Sequence, residues 1–251
     1  MFALLRKNRA KFKTILGWFL FLLLYTLLSL AIVRFSTACE QAVAAATSAS
    51  FQDPFPVILI DPGHGGFDGG AVSADGIVEK DLNLAIASYL RDYLLLSGMP
   101  VVMTREKDVE LVPEKPTSGT RKRKDILARL EMLERYDRAI LVSIHQNKYP
   151  NSRFHGLQVF YSANDPDSER IAESIRDANR RLLDPENRRE IKRAGKEILI
   201  LDKATGPAVL IECGFLSNAA EAGRLCDPTY QKKLAFTVFT ALCTYFESAR
   251  R

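Results

Sequence analysis

VILIDPGHGG, Val57 to Gly66, is the stretch whose reading decides the fold. A short run of Val, Ile and Leu reads as a buried strand, and it ends at a Pro-Gly turn that presents His64 between glycines. The chain has only three histidines. A second, His145, sits in LVSIHQN, again directly after an apolar run. Two scarce imidazoles, each at the end of an expected strand, place a site at one edge of a sheet.

Outward from this stretch, strands alternate with helices. Further strands are expected at Val101 to Thr104, Ala139 to Ile144, Leu157 to Tyr161, Glu197 to Leu201 and Ala208 to Ile211. Helical spacing runs over Glu79 to Ser97, where Leu82, Ile86, Leu90 and Tyr93 share a face and Gly98 stops it. Arg121 to Arg135 carries Ile126, Leu127, Leu130 and Leu133 as an apolar stripe. Asp165 to Leu183 opens with an Asp-Pro cap, and Pro228 to Glu247 is the last helix. Glu110 to Gly119, polar with two prolines, reads as a loop. Continuous apolar strands mark a sheet covered on both faces. The expectation is a single α/β domain, residues 57–248, with a mixed, mostly parallel sheet, helices on both faces, no internal repeat and no second domain.

The segment before this domain has a different character. Residues 15–33, ILGWFLFLLLYTLLSLAIV, are uncharged and close to the ~20 residues that a membrane-spanning helix needs. Arg6, Lys7, Arg9, Lys11 and Lys13 precede them. By the positive-inside rule, residues 1–14 stay in the cytoplasm and the domain lies outside, as a single-pass membrane protein. Cleavage after small residues near Ala42-Val43-Ala44 is the alternative. Residues 34–56, rich in Ala, Ser and Thr and then Pro, read as a linker.

The net charge of the 251 residues is +5, and much of the excess lies in that N-terminal cluster. No basic repeat interleaved with aromatics is present, so nucleic acid is not expected as a partner. The four cysteines form no Cys-X-X-Cys pair, which argues against a cysteine zinc knot. Cys226 and Cys243 fall in helical contexts and read as buried thiols.

Four polar residues lie at or just beyond the elements: His64, Glu79, His145 and Glu212. Sites in open α/β sheets form at the carboxyl ends of strands, where His64, His145 and Glu212 all lie. Glu79 opens the first helix, which can return it to the same edge. Two imidazoles, a carboxylate and an open fourth position make up the ligand set of a catalytic zinc, and a remaining carboxylate serves as general base. Each residue also has a plainer reading. His64 can cap a glycine-rich turn, His145 can be a satisfied strand-end histidine, and Glu79 can answer the helix dipole. Glu212 at a buried strand end is harder to explain so, because an unpaired buried carboxylate is costly. His155 reads as an exposed loop residue. Spacing alone does not separate a hydrolase from a binding site.

ILIDPGHGG, EKDLNL, MTREKD, SIHQN, QVFYS and PAVLIECGFLSN, in this order from about Val57 to the C-terminus, resemble the zinc-dependent N-acetylmuramoyl-L-alanine amidases (Amidase_3). Lacking wall-binding repeats, and with SIHQN followed by QVFYS, the chain is most similar to the CwlD-type branch, the amidases of spore cortex maturation. The resemblance implies Zn2+ held by His64, Glu79 and His145, with Glu212 as the catalytic glutamate. Asn147, Arg105 and Asp108 match recurrent positions. The implied substrate is peptidoglycan, cut at the amide between N-acetylmuramic acid and L-alanine. No helical insert of the autoinhibitory kind lies between Ala163 and Lys196, which leaves control by an activator protein open. The stretch from Asp108 to Arg121 departs from the pattern in its length and prolines. A non-catalytic wall-binding or regulatory module of the same fold would be expected to lack a ligand or Glu212. A zinc peptidase cutting within the stem peptide would keep them all.

Overall fold

The structure, a computed structural model, describes residues 22–38, 40–41, 55–112 and 120–249. The chain divides into two units, Met1–Pro54 and Phe55–Arg251. In the first, residues 22–38 form helix α1, with Leu24, Tyr25, Leu28, Ile32 and Phe35 all exposed. No helix among the described residues is long and apolar enough to cross a membrane. Residues 15–21 of the expected span, the basic residues 1–14 and most of the expected linker lie outside the described residues.

The second unit runs β1 (Val57–Pro62), α2 (Glu79–Leu96), β2 (Val101–Met103), α3 (Arg121–Leu133), β3 (Ala139–Asn147), β4 (Gln158–Tyr161), α4 (Pro166–Leu182), β5 (Lys192–Arg193), α5 (Leu199–Lys203), β6 (Ala208–Phe215), α6 (Ala219–Leu225) and α7 (Pro228–Ala249). The six strands form one sheet in the order β2-β1-β3-β6-β4-β5. β1, β2, β3 and β6 are parallel, and β4 runs antiparallel to β6. The expected mixed, mostly parallel sheet is therefore present.

Alternation along the strands builds two apolar layers. Ile58, Ile60, Ile140, Val142 and Ile211 pack against Leu90 of α2, Ile175 of α4 and Leu242 of α7. Leu59, Leu141 and Leu210 pack against Leu130 and Leu133 of α3 and Leu201 of α5. Local chemistry sets the helix ends. Asp165 accepts a hydrogen bond from the Asp167 backbone N–H (2.8 Å), with Pro166 in the first turn of α4 and Arg180 and Arg181 in its last. α2 stops where Gly98 takes a φ of 74°.

Three expectations are corrected. Glu197 to Leu201 is not a strand: Leu199–Lys203 is the short helix α5, and the edge strand is Lys192–Arg193. A brief apolar run has no periodicity that separates strand from helix, and here Ile200 and Leu201, adjacent in sequence, both bury against the sheet. Helix α6, capped by Asn218 accepting from Glu221 N (3.1 Å), was not anticipated. Cys226 is exposed at the C-cap of α6 rather than buried, and Cys243 is half-buried; both are free thiols, as is the buried Cys213. Of the expected loop at 110–119, residues 113–119 lie outside the described residues.

Leu90 is fully enclosed on the α2 face of the sheet. Leu90→Ala should cost about 2–5 kcal/mol of folding stability, from lost transfer energy plus a residual cavity. A lower urea midpoint at unchanged m-value is the expected readout.

Candidate metal centre and active site

The site is built on a tightly held turn. Beyond β1, Gly63 N donates to Ile144 O of β3 (3.0 Å). His64 then enters the left-handed region at φ 63°, unusual for a residue with a side chain. Two buried guanidiniums hold the turn by its carbonyls. Arg105 donates to Pro62 O (3.0 Å), Gly63 O (3.1 Å) and Lys80 O (2.8 Å), and so ties the turn to the start of α2. Arg129 of α3 donates to Pro62 O (2.9 Å) and His64 O (2.7 Å). Asp108 accepts from Gly66 N (2.8 Å) and Lys80 Nζ (2.7 Å).

Arg129 is itself fixed by Asp61 (2.6 Å) and Asp125 (2.8 Å). Asp61 also accepts from the hydroxyls of Ser143 (2.7 Å) and Thr104 (2.7 Å). Burial alone would raise the Asp61 pKa, but the Arg129 charge and the two hydroxyls bring it down to about 2. These buried charges are paired and hydrogen-bonded, the condition under which burial is tolerated.

On this frame three side chains converge. Glu79, at the start of α2, is buried. Its Oε1 lies 2.9 Å from His145 Nδ1 and 3.3 Å from His64 Nε2. Oε1 also receives Gln146 N (3.0 Å), and Oε2 receives Ala71 N (2.8 Å). Behind the His64 ring, Nδ1 lies 2.8 Å from Asp68 Oδ2, which leaves Nε2 facing Glu79. The two imidazoles meet edge to face with centroids 4.9 Å apart. A Cβ at Gly63 would run into the His145 ring, so only glycine fits there.

Electrostatics follow from this packing. Burial opposes charge on His64, yet Asp68 and Glu79 outweigh it and raise its pKa to about 9. Burial likewise opposes charge on Glu79, but hydrogen bonds from both imidazoles hold its carboxyl well below the ordinary range. Glu212 of β6 is the register partner of His145. Its Oε2 is buried without a hydrogen-bond partner among the described residues. Burial first, and the neighbouring Glu79 charge, raise its carboxyl to about 7 against the pull of the imidazoles. A cavity of about 240 Å³ opens over these residues, walled by Lys122 and Ile126 of α3 and by Glu197 to Ile200.

His64, Glu79 and His145 each offer one ligand atom, and these atoms lie within 4.8 Å of one another. Two imidazole nitrogens and one carboxylate oxygen, with a carboxylate behind one imidazole, suit zinc. The donor set therefore fits the implied metal.

The family model for N-acetylmuramoyl-L-alanine amidase (Amidase_3) matches residues 58–244. The chain belongs to the N-acetylmuramoyl-L-alanine amidase family. It is 40% identical over 192 residues to the germination-specific N-acetylmuramoyl-L-alanine amidase of Bacillus subtilis, covering 76% of this chain and 79% of that protein. Its structure is similar to the CwlD amidase from Clostridioides difficile, solved in complex with the GerS lipoprotein. The TM-score is 0.73 at 37% identity, over 77% of this chain and 99% of that one. AmiC2 of Nostoc punctiforme follows with a TM-score of 0.65 at 30% identity, over 76% and 97% of the two chains.

Within this amidase fold, all four residues singled out from the sequence meet at one sheet edge, and His155 is exposed in its loop. Arg105 and Asp108 find their explanation in the turn that they hold. Asn147 ends β3, where its carbonyl accepts from Leu216 N (2.7 Å). Sequence reasoning missed Arg129, Asp61 and Asp68. The first reads as one more basic residue on the exposed side of α3, and Asp68 lies only four residues beyond His64, a spacing that was available as a signal.

Both raised groups bind protons more tightly in the folded than in the unfolded chain. In metal-free protein, Glu212 withdraws stability as pH rises from 4.5 to about 7, and His64 from 6.5 to about 9. Thermal melts of chelator-treated protein should therefore show a falling midpoint across this window. Glu212→Gln should flatten the lower part of the fall.

Proposed function

We propose that this chain is a zinc-dependent hydrolase that cleaves the amide between N-acetylmuramic acid and L-alanine in peptidoglycan. The observation that carries the reading is the cluster of His64, Glu79 and His145 with the unpartnered Glu212 carboxyl at its side. His64, Glu79 and His145 would hold the metal. When bound, zinc supplies Lewis acidity, polarising a carbonyl oxygen and making water acidic near neutral pH.

The chain's own residues do the rest. Asp68 keeps the His64 proton on Nδ1, so that Nε2 faces the metal position. Gln146 N and Ala71 N orient the Glu79 carboxylate. Glu212 takes a proton from the attacking water and delivers it to the departing alanine nitrogen. A carboxyl held near neutrality by burial suits both halves of that transfer. The Arg105 and Arg129 clamps keep the His64 turn rigid through the cycle.

Three features of setting belong to the same proposal. Spore cortex is the favoured wall substrate, because the Bacillus subtilis relative is named germination-specific. A lipoprotein is the favoured partner, because the Clostridioides difficile relative was solved in complex with one; in this reading it would act as an activator. The uncharged stretch at residues 15–33, after five basic residues, supports an N-terminal anchor with the catalytic domain outside the cytoplasm.

Glu212→Gln tests the chemistry. It should lower turnover by about 10²–10⁴-fold while zinc content and fold stay parental. Mass spectrometry of digested cortex and vegetative wall identifies the bond cut. Zinc lost from Glu212→Gln but kept by Glu79→Gln would mean that ligand and base are exchanged.

Protease added to wall-stripped cells tests the anchor. The domain should be released while the membrane stays intact. A mature chain starting near Ala45 would instead identify a cleaved leader.

A further inference from the structure

Beside the Glu212 pocket lies a second cavity of about 240 Å³, lined in part by Gln158, Phe160, Arg189 and Lys192. Strand register sets the two side by side on one face of the sheet. His145, Glu212 and Gln158 are successive partners across β3, β6 and β4. Leu210, Phe160 and Lys192 are partners across β6, β4 and β5. Side chains at partnered positions share a face of the sheet. The second cavity thus lies beside the first on the same face, one to two strands beyond Glu212.

Its cations are poised but uncommitted. Arg189 spends one N–H on His155 O (2.8 Å) and lies over the Phe215 ring (4.5 Å to the centroid) and the Phe154 ring (5.5 Å). Lys192 lies over Phe160 (5.8 Å). Neither makes an ion pair with a carboxylate among the described residues, although neighbouring Arg176 and Arg180 both pair with Glu190. A guanidinium held by stacking, with its remaining N–H groups free, matches a carboxylate better than a compact ammonium alone would.

We propose that Arg189 and Lys192 form a subsite for a free carboxylate of the stem peptide, on the leaving-group side of the scissile amide. This rests on the amidase reading above. The residue after L-alanine in a stem peptide is a glutamate linked through its side chain, which leaves its α-carboxylate available. One strand spacing is about 5 Å and an extended residue spans about 3.5 Å. A carboxylate one to two residues past the cut amide therefore reaches the cavity. The subsite selects peptides with an unmodified acid at that position over peptides carrying the amide.

The test uses the full chain and two muramyl peptides that differ only in this group, free α-carboxylate or carboxamide. The parent should show a KM lower for the acid by about tenfold, the value of one charge-assisted hydrogen bond at a partly exposed site, with similar kcat. Arg189→Gln and Lys192→Gln should each raise KM for the acid and leave KM for the amide unchanged. Arg189→Lys, which keeps the charge, should recover part of the loss. Because Arg189 also covers two aromatic rings, Lys192→Gln serves as the variant that leaves that packing intact. Equal losses on both peptides, or a parent that does not discriminate, would overturn the subsite. A parent that cuts neither peptide nor intact wall would instead overturn the amidase reading.

Discussion

The buried pair of Arg129 and Asp61 is the interaction on which the site depends. It joins α3 to the end of β1, and from it the guanidinium reaches on to the carbonyls of Pro62 and His64. Those carbonyls belong to a turn in which a side-chain-bearing residue takes a positive φ. Such a conformation persists only where its surroundings over-determine it. Here the surroundings are two arginines, one aspartate and the backbone pairing of Gly63 with β3. The cost of burying these ions is offset by hydrogen bonds that use nearly every donor and acceptor among them. What results is an imidazole carried on a backbone that hydrogen bonds fix on several sides.

The same logic separates the two carboxyls at the centre. Glu79 and Glu212 are chemically identical and lie at one sheet edge, but Glu79 receives two backbone N–H groups and two imidazoles. Glu212 receives no hydrogen bond at Oε2. One is therefore held as an anion and the other is left near neutrality. In the proposed function, environment rather than residue type divides a ligand role from a proton-transfer role.

Much of this was legible in the sequence. The strands β1, β3 and β6 are continuous apolar runs, and each ends at a polar residue that the sheet edge collects. The Asp165-Pro166 start of α4 and the Gly98 stop of α2 are written in single residues. The Glu197 to Leu201 run was misread because five residues are too few to show a period, and its burial is decided by the sheet beneath it. Cys226 was misread because α6 ends just before it and turns it to solvent. Arg129 and Asp61 stayed hidden for a different reason. They meet across 68 residues of chain, and nothing local to either one signals the other. In the site, residue types gave the donor set, while the proposed division of labour between Glu79 and Glu212 needed their surroundings.

The reversal of β4 has a consequence of its own. Had β4 run parallel to β6, the chain leaving β3 would have had to cross the whole sheet before pairing again. Because it is antiparallel, residues 148–157 leave and re-enter on the catalytic edge, and Gln158 begins its strand beside Glu212. The segment carries Tyr149 and Phe154, whose rings meet edge to face with centroids 5.0 Å apart. Residues added to or removed from it would redraw one bank of the cleft while every strand kept its register. Evolution can thus vary what the enzyme grips without touching the machinery that cuts.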